Sequence, residues 1–209
     1  MKTKFLHIAT ALLFVGFTSS CSDFLDRYPL DELSDSSFWK TENDAMMAVT
    51  DIYGCLPTWD QDEDINSDNA VHGIKWAAGN ISKGVYDPMD QSWAGSYTPI
   101  RQCNLVLEKV KDIEMSDESR KKIEGQAYFF RAFVYFNLIR SFGDVPYIDK
   151  PLNLTDVEDI TRTPREEVYA KVMADFDKAI EYLPEEWDAA NTPRVTKGAA
   201  LAMKARAAL

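Results

Sequence analysis

Helix start and stop signals recur along this 209-residue chain, whereas strand signals are nearly absent. Thr41 and Asp44 have the spacing of a capping box, in which each side chain satisfies the other residue's exposed backbone amide. Apolar residues then follow at helical spacing, namely Ala45, Val49, Ile52 and Tyr53. Gly54 and Pro57 end this pattern, which predicts a first helix.

Two further helices are predicted before residue 144. Thr98 with Pro99 opens the second helix, because a proline at the first helical position loses no needed amide. Ser116 opens a third and longer helix, which ends near Gly143, where glycine can adopt the left-handed conformation. Aromatic residues lie nearly all round this third helix, so we expect them to pack in the core rather than to bind ligand: Tyr128, Phe129, Phe130, Phe133, Tyr135 and Phe136.

The last two helices suggest a repeat architecture. Thr163, Pro164 and Glu166 combine a proline with a capping box to open the fourth helix, which Pro184 closes, and a fifth helix starts near Thr196. The fourth helix has an aromatic residue, a small residue and a closing proline at the spacing of a tetratricopeptide repeat, at Phe176, Ala179, Ile180 and Pro184. Alanines would allow close helix contact in the fifth helix too, at Ala199, Ala200, Ala202 and Ala205. The connections formed by residues 143–162 and 185–195 are longer than a strict repeat allows. The predicted fold is therefore all-α with irregular tetratricopeptide-like helical repeats.

The amino terminus has the layout of a bacterial export signal. Two lysines precede an apolar stretch from Phe5 to Phe17, and small residues lead to Cys21. The stretch is shorter than the about 20 residues that span a bilayer. We therefore expect a lipoprotein signal peptide at 1–20 and acylation of Cys21. Lipoprotein signals usually have leucine three residues before the acylated cysteine, where this chain has Thr18. A plain cleaved signal peptide with a free Cys21 therefore remains the alternative.

From Cys21 onward the chain resembles the SusD/RagB family of nutrient-binding outer-membrane lipoproteins. Three blocks carry the resemblance: SDSSFWKTENDA at 34–45, GQAYFFRAFVYFNLIRSFGDVP at 125–146, and TPREEVY at 163–169 with RVTKGAALAMKAR at 194–206. The resemblance covers the amino-terminal part of a family member. Because the helical pattern runs to Leu209 without a stop signal, we interpret 21–209 as a SusD-like amino-terminal domain that is incomplete at its carboxyl end.

The segment between the first two helices is the candidate ligand site. It forms a predicted long irregular loop from Leu56 to Tyr97, and loops of this length are usually functional or disordered. Its tryptophans can pack on the C–H face of a sugar ring, and its amides can bind hydroxyls. We expect Trp76 with Asn80 to form the main contact. Trp59 and Trp93 either contribute to binding or pack the loop onto the helices.

Other functional classes find little support in the sequence. A net charge of −11 disfavours nucleic acid as a partner. The acidic residues between Asp60 and Asp68 lack the glycine and glutamate of an EF-hand, so we interpret them as a solvated acidic loop, with an irregular calcium site as the alternative. With two histidines in the chain, no zinc site, catalytic constellation or cofactor is expected. Cys55 and Cys103 are interpreted as buried free thiols or, alternatively, as a disulfide.

The resemblance implies a function in nutrient capture at the cell surface. We expect a lipid-anchored outer-membrane protein that binds oligosaccharides, without catalysis, and delivers them to a TonB-dependent SusC-like transporter. Three alternatives remain: a RagB-like peptide-binding lipoprotein, a helical-repeat module for protein interaction, and a surface glycosidase. The glycosidase stays open because the distance between its two catalytic acids cannot be read from sequence spacing.

Overall fold

The computed structural model describes residues 38–56, 93–156 and 158–209. Within these ranges the chain forms five α-helices, three short 3-10 turns and no strand, and Trp39–Leu209 forms one compact unit. The helices are α1 (Glu42–Ile52), α2 (Trp93–Lys109), α3 (Asp117–Phe142), α4 (Arg165–Tyr182) and α5 (Lys197–Ala208). The predicted all-α fold is therefore confirmed. The predicted irregular loop between α1 and α2 falls largely on 57–92, outside the described residues.

Helix α1 begins with the predicted capping box. The Asp44 amide donates to Thr41 Oγ1 at 3.3 Å, and the Thr41 amide donates to Asp44 Oδ2 at 2.7 Å. The predicted apolar face is buried at Ala45, Val49 and Ile52. A 3-10 turn, Tyr53–Cys55, then ends the helix, as the Gly54 signal indicates.

Within the described residues, helix α2 already includes Trp93, so the prediction that it starts at Thr98–Pro99 is wrong. Pro99 lies inside the helix, where it offers no amide to the carbonyl of Gly95. The proline is buried, and Trp93 and Tyr97 pack against the core on the preceding turn. These tertiary contacts offset the missing hydrogen bond, and no local signal in the sequence reveals them.

Helix α3 forms the centre of the fold. Ser116 caps it by accepting a hydrogen bond from the Ser119 amide at 3.0 Å, and Gly143 ends it with a φ of 70°, as predicted. The aromatic residues of α3 are buried or packed against the core, with Phe129, Phe130 and Tyr135 almost fully enclosed. The prediction that they serve packing is confirmed within the described ranges.

Helix α4 has the predicted extent, but its predicted capping box is absent. Pro164 itself occupies the cap position and makes no side-chain hydrogen bond to the helix. The Thr163 hydroxyl instead accepts from the Tyr147 amide at 3.3 Å, and the Thr163 backbone pairs with Val145 in an isolated bridge. Thr163 therefore stabilises the connection between α3 and α4 through hydrogen bonds and does not cap the helix.

Helices α3 and α4 share the most extensive contact between helices in the described residues. A Cβ on Gly125 would lie 3.0 Å from Tyr182 Cβ and 3.1 Å from Leu183 Cγ, which is closer than atoms normally approach. Phe176 and Ala179 on α4 are fully buried, as the repeat pattern predicts. Small residues thus allow the close approach of a tetratricopeptide-like helix pair.

Helix α5 packs on α4 and is capped by Thr196, whose hydroxyl accepts from the Ala199 amide at 3.3 Å. The prediction that four alanines of α5 lie in a close contact is only partly right. Ala200 is fully buried and Ala199 is half-buried, but Ala202 and Ala205 are exposed. Alanine is also a strong helix former on exposed faces, so its presence does not by itself indicate a contact.

Candidate ligand-binding site

Trp93 is the predicted binding residue that the described ranges contain; Trp59, Trp76 and Asn80 lie outside them. Its half-buried indole meets the edge of Phe142, with ring centroids 4.8 Å apart. The Arg162 guanidinium lies 5.2 Å from the centre of the indole ring. Trp93 therefore packs the first turn of α2 against the end of α3, while part of its ring stays accessible to solvent.

Two tyrosine hydroxyls hold the connection that follows α3. Tyr97 donates to the Pro146 carbonyl at 3.1 Å, and the Tyr135 hydroxyl bonds the Ile148 amide at 2.7 Å and its carbonyl at 3.1 Å. Burial raises the pKa of Tyr97 to about 12 and also raises the pKa of Tyr135. Both tyrosines are therefore neutral near pH 7 and act as fixed hydrogen-bonding groups.

A buried ion pair joins α3 to α4. Arg131 Nε and Nη2 donate to the two Asp175 carboxylate oxygens, both at 2.7 Å, and Arg131 Nη1 donates to Asn104 Oδ1 at 2.8 Å. The Asn104 amide in turn donates to the Ile148 carbonyl at 2.9 Å. Burial raises the pKa of the Asp175 carboxyl, and the hydrogen bonds from Arg131 oppose that effect. The network is satisfied internally, which indicates a structural role.

A second polar cluster connects α1 to the segment before α5. Tyr53 Oη donates to Gln126 Oε1 at 2.9 Å and accepts from the Val195 amide at 2.9 Å. Arg194 donates to the same Gln126 oxygen at 3.2 Å and to Thr50 Oγ1 at 3.0 Å. Sequence reasoning missed both clusters. Arg131 and Gln126 inside an otherwise aromatic helix were the available signals, because buried polar residues need partners.

Cys55 and Cys103 are free thiols in the structure. Cys55 is half-buried, and burial raises its pKa to about 11; Cys103 is fully buried, which also raises its pKa. Neither thiol is a reactive thiolate near neutral pH. The sequence left free thiols and a disulfide open as alternatives, and the structure has free thiols. Cys21 lies outside the described residues.

Other kinds of site are not seen in the described ranges. No three His, Cys, Asp or Glu side chains there cluster as metal ligands would. The acidic stretch from Asp60 to Asp68 lies outside these ranges. No helix in these ranges has the length and hydropathy that crossing a membrane requires.

The paired helices α3 and α4, the docked helix α5 and the irregular connections place this chain among tetratricopeptide-like helical scaffolds. Residues 23–209 match the model of a SusD-like family that is described as starch-binding and associating with the outer membrane. The chain belongs to this SusD-like family, and the resemblance stated from the three sequence blocks is confirmed.

Two curated relatives illustrate the similarity. The chain is 30% identical over 199 residues to SusD-like protein P2 of Formosa agariphila, a match that covers 88% of this chain and 38% of the relative. It is 26% identical over 201 residues to a SusD-like protein of Bacteroides ovatus, covering 90% and 36% respectively. The chain thus spans less than half the length of these relatives.

Solved structures agree on the fold. A SusD-like protein from Bacteroides fragilis superposes with a TM-score of 0.75 at 28% identity, over 87% of this chain and 37% of the other. A laminarin-binding SusD-like protein superposes with a TM-score of 0.68 at 23% identity, over 80% and 40%. The helical scaffold is therefore shared with both, although the second likeness is limited to the fold.

Proposed function

We propose that this chain belongs to a cell-surface lipoprotein that binds oligosaccharide nutrients without catalysis and delivers them to a TonB-dependent SusC-like outer-membrane transporter. The proposal takes 1–20 as a signal peptide, Cys21 as the lipid attachment site and 21–209 as an amino-terminal SusD-like domain. The family description, which names starch binding and association with the outer membrane, supports the ligand class and the location.

One observation carries the binding role. The scaffold holds both ends of segment 57–92, because α1 and its 3-10 turn pack on α3 and Trp93 packs on Phe142. This segment contains Trp59, Trp76 and Asn80. Indole faces and amides suit a neutral, hydroxyl-rich ligand, and binding residues often occur on long connections anchored by a rigid scaffold.

The chemistry of the described residues favours binding over catalysis. They contain no histidine, and the buried tyrosines and thiols are held neutral near pH 7. The buried carboxylate of Asp175 is occupied by Arg131 and is therefore not positioned to act on a ligand. These features supply neither an activated nucleophile nor a free buried acid–base pair.

Isothermal titration calorimetry on the full chain tests the proposal. We expect maltohexaose or laminarihexaose to bind with a measurable enthalpy, and mixed-sequence hexapeptides not to bind. The oligosaccharide should be recovered intact after overnight incubation. Binding of peptides alone would favour a RagB-like role, cleavage of the oligosaccharide would indicate a glycosidase, and binding of neither would leave a protein-interaction module.

Transporter pairing needs a separate experiment. We expect the membrane-anchored protein, solubilised in mild detergent, to co-purify with a SusC-like barrel protein from its native host. A matched purification after treatment with high salt and competing free protein controls for adventitious association. Recovery of the anchored protein alone would contradict the proposed delivery step.

A further inference from the structure

A cleft with a volume of about 440 Å³ lies between α1, α2 and α3. This volume falls in the range of roughly 300–1,000 Å³ that is typical of small-molecule sites. Its walls are formed by the end of α1 with its 3-10 turn, by the first half of α2, and by residues 133–137 of α3. Trp93, the one residue predicted to bind ligand that lies within the described ranges, is not among the described residues that line the cleft.

One wall of the cleft carries a prearranged acid–amide pair. Gln102 Nε2, on α2, donates a hydrogen bond to Asp51 Oδ2, on α1. This bond fixes the two side chains relative to each other. It leaves the second carboxylate oxygen of Asp51 and the amide oxygen of Gln102 without a partner among the described residues, so both can accept hydrogen bonds from hydroxyl groups.

Helix α3 contributes to the cleft an amide that is unpaired within the described residues. Asn137 on α3 is half-buried and lines the cleft, yet its side chain makes no hydrogen bond within the described ranges. The exposed hydroxyl of Thr98 likewise has no partner there. Half-buried polar groups are normally satisfied, by water or by a ligand if not by protein. An amide offers two donors and one acceptor, which matches the mixed character of a sugar hydroxyl.

The remaining lining provides an apolar surface and open space. The partly buried ring of Phe133 also lines the cleft. At Gly54, a Cβ would meet no atom of the described residues within 4 Å, which leaves room beside it among them. Among the described residues that line the cleft there is no lysine or arginine, and there is one carboxylate, Asp51. This charge pattern disfavours phosphate, sulfate and carboxylate ligands and suits an uncharged one.

We propose that this cleft binds one neutral saccharide unit, with Asp51, Gln102, Asn137 and Thr98 bonding its hydroxyls and Phe133 contacting its C–H face. The cleft would be a second contact for an oligosaccharide, in addition to the contacts proposed for Trp76 and Asn80. The inference rests on the proposed oligosaccharide function and adds a named subsite to it.

Cys55 provides a direct test of occupancy, because it lines the cleft and is half-buried, whereas Cys103 is fully buried. Modification of Cys55 by N-ethylmaleimide at pH 8.5 would be followed by peptide mass spectrometry, with and without saturating maltohexaose or laminarihexaose. We expect the oligosaccharide that binds in calorimetry to slow modification of Cys55 about threefold or more. Cys103 serves as an internal control that stays unmodified while the chain is folded.

Two variants measure the contribution of the cleft to affinity. We expect Asn137→Ala to weaken oligosaccharide binding about tenfold, and Thr98→Val about threefold, since each removes a hydrogen bond. Thr98 is exposed, so its variant keeps the test valid if Asn137→Ala fails to fold. Asn153→Ala, an exposed asparagine outside the cleft, is the matched control and should leave affinity unchanged.

The outcomes distinguish the cleft from the wider function. If an oligosaccharide binds but Cys55 reacts at its usual rate and both variants bind as the parent does, the subsite is refuted and the proposed function stands. Shielding of Cys55 by a hexapeptide but not by an oligosaccharide would overturn the saccharide assignment. If no oligosaccharide binds the chain at all, the proposed function and the subsite are both overturned.

Discussion

Arg131 and Asp175 form a two-point ion pair across the contact between α3 and α4, with both nitrogen–oxygen distances at 2.7 Å. Each residue is almost fully buried. The third donor of Arg131 reaches Asn104 on α2, so one guanidinium links three helices. Breaking such a pair from one side leaves a buried charge without its partner, which costs more than the intact pair contributes.

We therefore expect Asp175→Ala to lower the free energy of unfolding by about 3–5 kcal/mol, because it leaves the Arg131 guanidinium buried and uncompensated. Urea denaturation followed by circular dichroism measures the change. Glu181→Ala is the matched control, since it removes an exposed carboxylate that pairs with Lys178, and it should cost less than about 1 kcal/mol. Equal effects of the two variants would contradict the structural role of the buried pair.

Gly125→Ala should destabilise the chain by about 1–3 kcal/mol, because the added methyl group would crowd Tyr182 at the end of α4 and Leu183 directly after it. Gly198→Ala is the control within another helix. Its added Cβ would meet its nearest neighbour at 3.7 Å, so the better helix propensity of alanine should raise stability by about 0.5–1 kcal/mol. Opposite signs in thermal denaturation support the close contact; two stabilising results would refute it.

Tyr97→Phe should lower the free energy of unfolding by about 1 kcal/mol at pH 8, because it removes the hydrogen bond from Tyr97 to the Pro146 carbonyl. Burial raises the pKa of Tyr97 from 10.0 to about 12, so between these values the unfolded chain ionises at this residue before the folded chain does. The wild type thus loses stability in this pH window through Tyr97, and the variant does not. The stability difference should narrow from pH 8 to pH 11; a constant or growing difference would argue against burial of this hydroxyl.

The tryptophans should separate binding from stability. Trp93→Ala should lower the free energy of unfolding by about 2 kcal/mol, because it removes contacts with Phe142 and Arg162. We expect Trp76→Ala to weaken oligosaccharide binding by about 1–3 kcal/mol with little change in melting temperature. Calorimetry and thermal denaturation of both variants check this. Unfolding caused by Trp76→Ala, or unchanged affinity, would remove Trp76 from the proposed contacts.

Cys21→Ala should release an exported protein from the membrane, because it removes the proposed acylation site. Fractionation of cells labelled with an alkyne palmitate analogue measures both anchoring and lipid incorporation. Cys55→Ala is the control, and it should stay labelled and membrane-bound. A Cys21→Ala protein that remains in the membrane fraction would contradict the lipoprotein assignment.

Local signals predicted the features that depend on a few consecutive residues. The caps at Thr41, Ser116 and Thr196 and the stop at Gly143 all follow from side chains within one turn of the helix end. Each could be predicted because the partner lies three or four residues away in the sequence.

The errors arose where the partner is distant in sequence. Thr163 has the spacing of a capping residue, but Tyr147 occupies its hydroxyl, and Pro99 remains helical because it is buried by neighbours that its own segment does not contain. The cleft was missed for the same reason, since Asp51, Gln102 and Asn137 come from three helices. Pattern reasoning on single segments identifies residues suited to sugar binding but does not bring them together.

The Tyr53 hydroxyl bonds both Gln126 and the Val195 amide, so one oxygen atom closes loops of 73 and 142 residues. These loops make the first helix of the compact unit dependent on one of its last segments. Such long-range closure raises the contact order, which slows folding. It also makes α1 and the lead-in to α5 parts of one cooperative unit, in which amide hydrogens should exchange through a shared opening. A ribosome must therefore synthesise the chain past Val195 before the first helix can acquire its full set of native contacts.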